Sequence, residues 1–322
     1  MNREPIVATM IGDPCGIGPE IVVRALAEGG GGARHLLVGD AKVVADAVAL
    51  TRAPFEVRKL RAVGQAAFDP GCLDVLDPGT LEAADVTVGR VSAACGRAVT
   101  QWWDIATELA RKQHVQAVVK APVNSEAIRR GVAAAQGGTQ PDKTFLFLIT
   151  GPLRVVHLTD HIPLREVFAQ LTRQSVLDLV RLTHESLQRW GVSQPRIGVA
   201  GINPHAYGHE EEHVIGPALA AARASGIDAQ GPVSPDSVFR LCTEGQYDCV
   251  IAHYHDQGHI AVKTWRFEGN CALMLGEPFL RLSVAHGTAF DIAGRGVADH
   301  RSMASALRTA AALAAGRGFP AA

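Results

Sequence analysis

Several features are scarce in this sequence of 322 residues, and each scarcity argues against a class of protein. The 31 basic and 32 acidic residues nearly balance, so the chain lacks the positive charge with which proteins bind nucleic acids or anionic membranes. No apolar stretch reaches the roughly 18 residues of a membrane-spanning helix. The apolar run near the amino terminus is too short for a signal peptide. We therefore expect no nucleic-acid partner and no membrane association.

Cysteine pairs and aromatic residues are scarce as well. The six cysteines contain no CxxC pair, and several lie in apolar contexts. Such cysteines are typical of reduced, buried thiols, so we expect a cytoplasmic protein. Aromatic residues make up only 5% of the chain, whereas 47% of it is hydrophobic. Small and aliphatic side chains dominate, which suits helices packed on a sheet.

Short β-branched runs alternate with longer segments rich in alanine and leucine, the pattern of an α/β fold. The strands are apolar almost throughout, which predicts a mostly parallel sheet with helices on both faces. A chain of this length usually exceeds a single core, so we expect two lobes, interleaved in sequence. The expected strands are 6–11, 35–40, 117–122, 154–159, 196–202 and 249–254, and the expected helices are 18–28, 90–112, 174–190, 214–225 and 301–315.

The polar segments after the predicted strands are candidates for a ligand site, because open α/β sheets bind ligands beyond the carboxyl ends of their strands. Three of these segments carry a histidine beside a turn-forming residue: His161, His205 and His255. Neutral imidazoles commonly bind zinc, and three protein ligands with an open position describe a catalytic metal site. Alternatively, each histidine caps a turn or bonds a loop carbonyl. The neighbouring histidines, expected to be solvated or to support the site, are His209, His213, His253 and His259.

Two glycine-rich segments are candidates for contacts with a cofactor. The first, GDPCGIGPE at 12–20, opens a helix with free backbone N–H groups, although a tight structural turn explains it equally well. The second, SVAHGTAFDIAGRGVAD at 283–299, contains His286 and Asp291, which could contact a base and a ribose. It could instead be a glycine-rich turn before the last helix.

Three further polar residues, Lys263, Asn270 and Arg281, lie in or beside apolar segments. A cation in such a place needs an anion, so a carboxylate or phosphate on a small substrate is one explanation. The other explanation is that all three are ordinary solvated residues.

Taken together, these stretches resemble the 4-hydroxythreonine-4-phosphate dehydrogenase (PdxA) family. In chain order they read IGDPCGIGPE, KAPVN, HIPLREV, GINPHA, GPVSPDSVF, YHDQG and AHGTAFDIAGRGVAD. The resemblance covers nearly the whole chain. It implies a three-layer α/β/α fold with two subdomains and a cleft, similar to isopropylmalate dehydrogenases. The single catalytic unit would span 1–322, with lobes formed roughly by 1–130 plus 264–322 and by 131–263.

The resemblance also implies a homodimer with a shared active site, in which histidines from both subunits hold a divalent metal. Zinc is the first expectation, and cobalt, manganese or magnesium are alternatives. The implied metal ligands are His161, His205 and His255; the substrate residues are Thr139, Lys263, Asn270 and Arg281; and the residues for NAD or NADP are His286, Gly287, Thr288 and Asp291.

We therefore expect metal-dependent, NAD-linked oxidation of a small phosphorylated hydroxy acid, followed by decarboxylation of the keto acid, as in pyridoxine biosynthesis. Candidates for moving the proton are Lys263, Asp256 and Asp236. The stretch 253–259 is expected to be a strand end and a turn that delivers His255 to the metal, with Asp256 supporting it.

The substrate side departs from the family pattern. Gly138 stands where the family's GHTE stretch has its histidine, the segment after it is shortened, and Ser125 stands where a lysine is common. The alternatives therefore include paralogues that oxidise 4-phosphoerythronate, 4-phosphothreonate or a carboxylated aromatic cis-dihydrodiol. A non-catalytic ligand-binding relic is a remote alternative, and metal-assisted hydrolysis would leave the segment 283–299 without a role.

Overall fold

The structure is a computed structural model that describes residues 4–132, 144–266 and 268–321. Within these ranges the strands are β1 Ile6–Met10, β2 Arg34–Val38, β3 Glu56–Leu60, β4 Cys72–Leu76, β5 Ala117–Lys120, β6 Phe145–Thr150, β7 Leu153–His157, β8 Ile197–Ala200, β9 Ala229–Val233, β10 Cys249–Ala252, β11 Cys271–Leu275 and β12 Leu280–Val284. The α-helices are α1 Gly18–Ala27, α2 Ala41–Thr51, α3 Ala93–Arg111, α4 Ser125–Gly131, α5 Leu164–Gln170, α6 Arg173–Arg189, α7 Gly216–Ala224, α8 Val238–Thr243, α9 His255–Trp265 and α10 Arg301–Ala314. None of the described helices is both long enough and apolar enough to cross a membrane.

The chain forms two compact units. The first consists of Met1–Gln140 and Pro278–Ala315, and the second of Pro141–Glu277 and Gly316–Ala322. Each unit is therefore built from two separate stretches of the chain. The sequence alone places these divisions near 130 and 263.

The first unit is a parallel α/β/α arrangement. Its strands lie in the order β3-β4-β2-β1-β5-β12, and each neighbouring pair is parallel. Both α3 and α10 pack on β1 and β5. Among the helices, α3 packs against α4, whereas α10 packs against α1. The two groups therefore cover opposite faces, which is why Val7, Ala8, Thr9 and Met10 of β1 are all fully buried. The predicted α/β class with a mostly parallel sheet is confirmed here.

The second unit is parallel only in part. Its strands lie in the order β11-β6-β7-β10-β8-β9, and β6 runs antiparallel to both β11 and β7. Strands β6 and β7 are joined by a tight turn in which Gly151 has a φ of 53°. A connection this short can join only antiparallel strands, because a parallel crossover needs a dozen or more residues.

The expected turn at 253–259 is wrong, because helix α9 begins at His255 directly after the end of β10. His255, His259 and Lys263 recur at every fourth residue, which is the spacing of one helix face. The sequence did not predict this helix, because the stretch is polar and contains Gly258, both of which are typical of a turn. The helix places the three side chains on a common face instead of scattering them around a turn.

Helices α3 and α4 approach each other closely, because glycine occupies the contact on each of them. A Cβ at Gly96 would overlap the backbone carbonyl of Ala127, and one at Gly131 would overlap that of Ala93. Asn124 caps α4 by accepting a hydrogen bond from the Ala127 N–H at 2.8 Å. This contact fixes the segment KAPVN, which joins β5 to α4.

Replacing Gly96 by alanine is expected to lower the free energy of unfolding by about 1–3 kcal/mol, the usual range for an overpacked core. The added methyl group would force α3 away from the Ala127 carbonyl. Urea unfolding followed by circular dichroism measures the change. Gly64→Ala is the matched control, since Gly64 has no atom within 4 Å of its Cβ position. Equal stability of the two variants would contradict the proposed contact.

Candidate active site

Three neighbouring parallel strands of the second unit, β7, β10 and β8, end at the same edge of the sheet. Ala252 of β10 lies opposite His157 of β7, and Ile251 of β10 lies opposite Val199 of β8. The segments that follow these strands carry the three predicted metal ligands. The common strand direction therefore delivers all three segments to one edge, as expected for a ligand site in a parallel sheet.

His161 and His255 are brought together at this edge, beside Asp160. Their ring centroids lie 5.1 Å apart. One potential ligand atom from each of the three residues lies within 4.8 Å of the other two. The side chain of His161 is 81% exposed and that of His255 is 30% exposed, so a ligand can reach both rings. Two imidazoles and a carboxylate are a donor set that fits a divalent metal such as zinc.

Asp256 fixes the orientation of the His255 ring. Its carboxylate accepts a hydrogen bond from His255 Nδ1 at 2.6 Å, and this bond lowers the pKa of Asp256. Because Nδ1 is occupied, Nε2 is the nitrogen left to bind a metal. A carboxylate in this position is the usual partner of a metal-binding histidine.

Further histidines continue behind this pair. His259 stacks on His255 with ring centroids 3.6 Å apart, and His157 lies 4.8 Å from His259. Burial and the neighbouring imidazoles lower the pKa of His259 to about 4 and that of His157 to about 3, so both are neutral at pH 7. Gly258 makes room for the His157 ring, which a Cβ would overlap. His259 is thus a buried support of His255.

Gln257 ties the ends of β10 and β8 together. Its side chain accepts a hydrogen bond from the His253 N–H and donates one to the Gly201 carbonyl, both at 2.7 Å. The fully buried His253 donates from Nε2 to the Ala200 carbonyl at 2.7 Å, and burial lowers its pKa to about 4. Gln257 was not predicted from the sequence. Its position at a strand end, where buried carbonyls need donors, was the available signal.

His205 lies on a constrained loop that Glu211 holds in place. His205 has a φ of 57°, which is uncommon for a residue other than glycine. The buried Glu211 carboxylate accepts hydrogen bonds from Ile202 N–H at 2.7 Å and Asn203 N–H at 2.8 Å. Burial opposes its charge, but the bonds from Asn203 and Ile202 prevail and keep its pKa below the usual 4.5. Glu211 was not predicted from the sequence either.

Within the described part of one chain, His205 does not belong to the cluster formed by Asp160, His161 and His255. The His205 side chain is exposed, and its charge acts on Asp236. One chain therefore brings two of the three predicted metal ligands together.

The predicted proton-transfer groups differ in their surroundings. Lys263 is exposed on α9, and its charge helps to lower the pKa of Asp256. Asp236 is exposed and accepts hydrogen bonds from Ser234 Oγ at 2.7 Å and Ser237 Oγ at 3.0 Å, which lower its pKa. Carboxylates stabilised in this way are weak bases.

The predicted substrate residues are found in both units. In the second unit, Asn270 is buried, and its Oδ1 has no hydrogen-bond partner within the described part of the chain. In the first unit, the Arg281 guanidinium lies 4.5 Å from the centroid of the Trp103 ring. Thr139 and Gly138 lie outside the described residues.

In the first unit, the segment 12–20 supports the predicted cofactor segment 283–299. The Ile17 N–H donates to the Thr288 carbonyl at 3.0 Å, and a Cβ at Gly16 would lie 2.8 Å from Thr288 Cβ. Glu20 accepts a hydrogen bond from the Ala298 N–H at 2.9 Å. The glycine-rich turn therefore serves packing, which was one of the two explanations open from the sequence.

The remaining predicted cofactor residues lie on the outer side of this segment. Gly287 and Asp291 are exposed, whereas Thr288 is buried. His286 Nδ1 contacts the Gly287 carbonyl at 3.1 Å. His286, Gly287 and Asp291 are therefore available to a ligand. Thr288 is buried instead, and its carbonyl accepts the hydrogen bond from the Ile17 N–H.

Comparison with known proteins identifies the family. Residues 32–310 match the family described as pyridoxal phosphate biosynthetic protein PdxA. The chain belongs to the PdxA family. A relative from Novosphingobium aromaticivorans, provisionally named 4-hydroxythreonine-4-phosphate dehydrogenase, is 47% identical over 321 residues, covering 98% of this chain and 96% of the relative.

Two further PdxA relatives support this assignment. D-threonate 4-phosphate dehydrogenase of Cupriavidus necator is 38% identical, covering 97% of this chain and 98% of the relative. The crystal structure of a 4-hydroxythreonine-4-phosphate dehydrogenase from Burkholderia phymatum has a TM-score of 0.85 at 35% identity, covering 97% of this chain and 99% of that structure. The family resemblance of the sequence motifs is thus confirmed.

Replacing Glu211 by glutamine is expected to lower the free energy of unfolding by about 1–3 kcal/mol at pH 7, because charged acceptors bind backbone N–H groups more strongly than amides do. The folded-state pKa of Glu211 is lowered, so its contribution is present above pH 4.5 and is lost as the pH falls through the folded-state value. The difference between wild type and variant should therefore shrink in acid.

Urea unfolding at pH 7 and at successively lower pH tests this expectation. Glu212→Gln is the matched control, since Glu212 is the exposed neighbour with the same charge. A Glu211→Gln variant as stable as Glu212→Gln at pH 7 would show that the loop does not depend on this carboxylate.

Proposed function

We propose that this chain oxidises the secondary alcohol of a small phosphorylated hydroxy acid at a divalent metal site, with a nicotinamide cofactor. The observation that carries the proposal is the convergence of His161, His255 and Asp160 at the ends of β7 and β10. The relatives named above are dehydrogenases of phosphorylated hydroxy acids. The first candidate substrate is 4-hydroxythreonine 4-phosphate, as in pyridoxine biosynthesis, and the keto acid formed would lose CO₂.

A second candidate substrate is 4-phosphothreonate. The relative from Cupriavidus necator, named D-threonate 4-phosphate dehydrogenase, favours it. Both candidates carry a terminal phosphate and, on the neighbouring carbon, the secondary hydroxyl group that would be oxidised. The same metal and cofactor chemistry would therefore serve either of them.

In this proposal, His161 and His255 hold the metal together with His205 from the partner subunit of a homodimer. The separation of His205 from the pair within one chain favours a ligand from a second chain. When bound, a divalent ion polarises the substrate hydroxyl and lowers its pKa. Zinc suits a set of imidazoles best, and cobalt or manganese could replace it.

Lys263 is the group that we favour for accepting the hydroxyl proton. Asp256 is engaged by His255, and Asp236 by two serines, and the lowered pKa of each carboxylate makes it a weaker base. Lys263 lies on the same face of α9 as His255.

The segment 283–299 is proposed to bind the nicotinamide cofactor, which supplies the hydride acceptor. The buried backbone of Thr288 fixes the segment, so that His286, Gly287 and Asp291 can face the ligand. An exposed carboxylate such as Asp291 bonds to ribose hydroxyls and repels a 2′-phosphate. NAD is therefore favoured over NADP.

Chelation is expected to abolish NAD reduction, and added zinc, cobalt or manganese is expected to restore it. His161→Ala and His255→Ala should each weaken metal binding by at least about 10- to 100-fold, the range known for changes beside a metal. Metal content and NAD reduction are measured on the same samples. His114→Ala is the matched control, because His114 is an exposed histidine of the first unit. Full turnover by metal-free protein would contradict the proposal.

The substrate is identified by NAD reduction with a panel of compounds. The panel contains 4-hydroxythreonine 4-phosphate, 4-phosphothreonate, 4-phosphoerythronate and a carboxylated cis-dihydrodiol. We expect turnover of a phosphorylated compound. Turnover of the dihydrodiol alone would contradict a phosphorylated substrate.

A further inference from the structure

Two cations of the first unit lie over one aromatic ring. The Arg281 guanidinium is 4.5 Å and the Lys120 ammonium 5.5 Å from the centroid of the Trp103 ring. Lys120 ends β5, and in the parallel register it lies opposite Ser283, two residues beyond Arg281 on β12. Residues opposite one another in the register, and residues two apart along a strand, share a face of the sheet. Lys120 and Arg281 therefore project from the same face.

This arrangement leaves Lys120 without a compensating negative charge within the described residues. Other lysines of the first unit pair with carboxylates: Lys42 with Asp46, Lys59 with Asp77, and Lys112 with Glu108. The charged group that acts on Lys120 is instead the Arg281 cation. Burial, together with that cation, lowers the pKa of Lys120 to about 8.

A lysine held beside an arginine is costly unless an anion joins them, because like charges repel and a shielded ammonium loses hydration. The face of Trp103 recovers part of this cost through cation–π attraction. A bound anion would bring the remaining compensation. The position of Lys120 at the carboxyl end of a parallel strand is where such sheets bind their ligands.

We propose that Lys120 is a specificity-determining residue that, with Arg281, binds the phosphate group of the substrate over the Trp103 ring. The inference rests on the proposed function for the identity of the ligand, and on the first unit alone for the site. Two adjacent cations match a phosphate monoester, which carries up to two negative charges on one group, better than a carboxylate group, which carries one. Lys120 thereby favours substrates that carry a phosphate at this position over substrates that carry a carboxylate there.

Calorimetry with inorganic phosphate tests the site without any turnover, using the full chain. Lys120→Met should weaken phosphate binding about tenfold or more, the usual effect of losing one hydrogen bond between charged groups. Lys120→Arg keeps the charge and should retain most of the affinity. Lys112→Met, which removes one exposed positive charge from the same unit, is the matched control and should change little. Malonate is the carboxylate probe and should bind more weakly than phosphate.

Kinetics provide a second measurement with the phosphorylated substrate that the panel identifies. Lys120→Met should raise the KM by about tenfold or more while changing kcat less, because the residue binds a group that takes no part in the hydride transfer. Circular dichroism confirms that each variant is folded. A merely structural role for Lys120 would alter stability but would leave the preference for phosphate over malonate unchanged.

The outcomes separate this inference from the proposed function. Phosphate binding that depends on Lys120, in a protein that oxidises none of the panel, would support the anion site and contradict the dehydrogenase proposal. Equal phosphate binding by wild type and Lys120→Met would overturn the inference, whatever the activity. Tighter binding of malonate than of phosphate would overturn the preference for a phosphorylated group.

Discussion

The candidate site depends on the parallel pairing of β7 with β10. Hydrogen bonds continue this pairing past the strand ends: the Leu158 N–H donates to the Ala252 carbonyl at 2.8 Å, and the Thr159 hydroxyl donates to the His253 carbonyl at 2.8 Å. The two chains leave the sheet side by side, so His161 and His255 meet although they are far apart in sequence. Without this pairing the two histidines would not lie side by side.

Neutral, buried histidines and two polar side chains make this edge rigid. Burial keeps His157 and His253 uncharged, so that each can act as a hydrogen-bond donor to a backbone carbonyl without the cost of a buried charge. Gln257 and Glu211 bond the loops that follow β10 and β8. The proposed ligands can therefore stay exposed to a metal and a substrate while the residues behind them supply stability.

The sequence was sufficient to predict the α/β class and the family, because apolar strands and the polar motifs at their ends are local patterns. It also pointed to His161 and His255, which the fold brings together. It could not predict the antiparallel β6, since strand direction depends on pairing partners distant in sequence. Helix α9 was hidden because a polar stretch with Gly258 resembles a turn. Lys120 was not predicted as a site residue, because its proposed role depends on its closeness in space to Arg281 and Trp103, which are distant from each other or from Lys120 in sequence.

In the proposed metal site, His161 and His255 of one subunit bind the ion together with His205 of the partner subunit. We would test this sharing by mixing inactive His161→Ala and His205→Ala proteins, after mild unfolding and reassembly. Random pairing of the two variants makes half of all dimers heterodimers, and each heterodimer of a two-fold symmetric protein has one intact and one defective site. About a quarter of the wild-type activity should therefore return. No recovered activity, in samples shown to contain the heterodimer, would contradict a site shared between subunits.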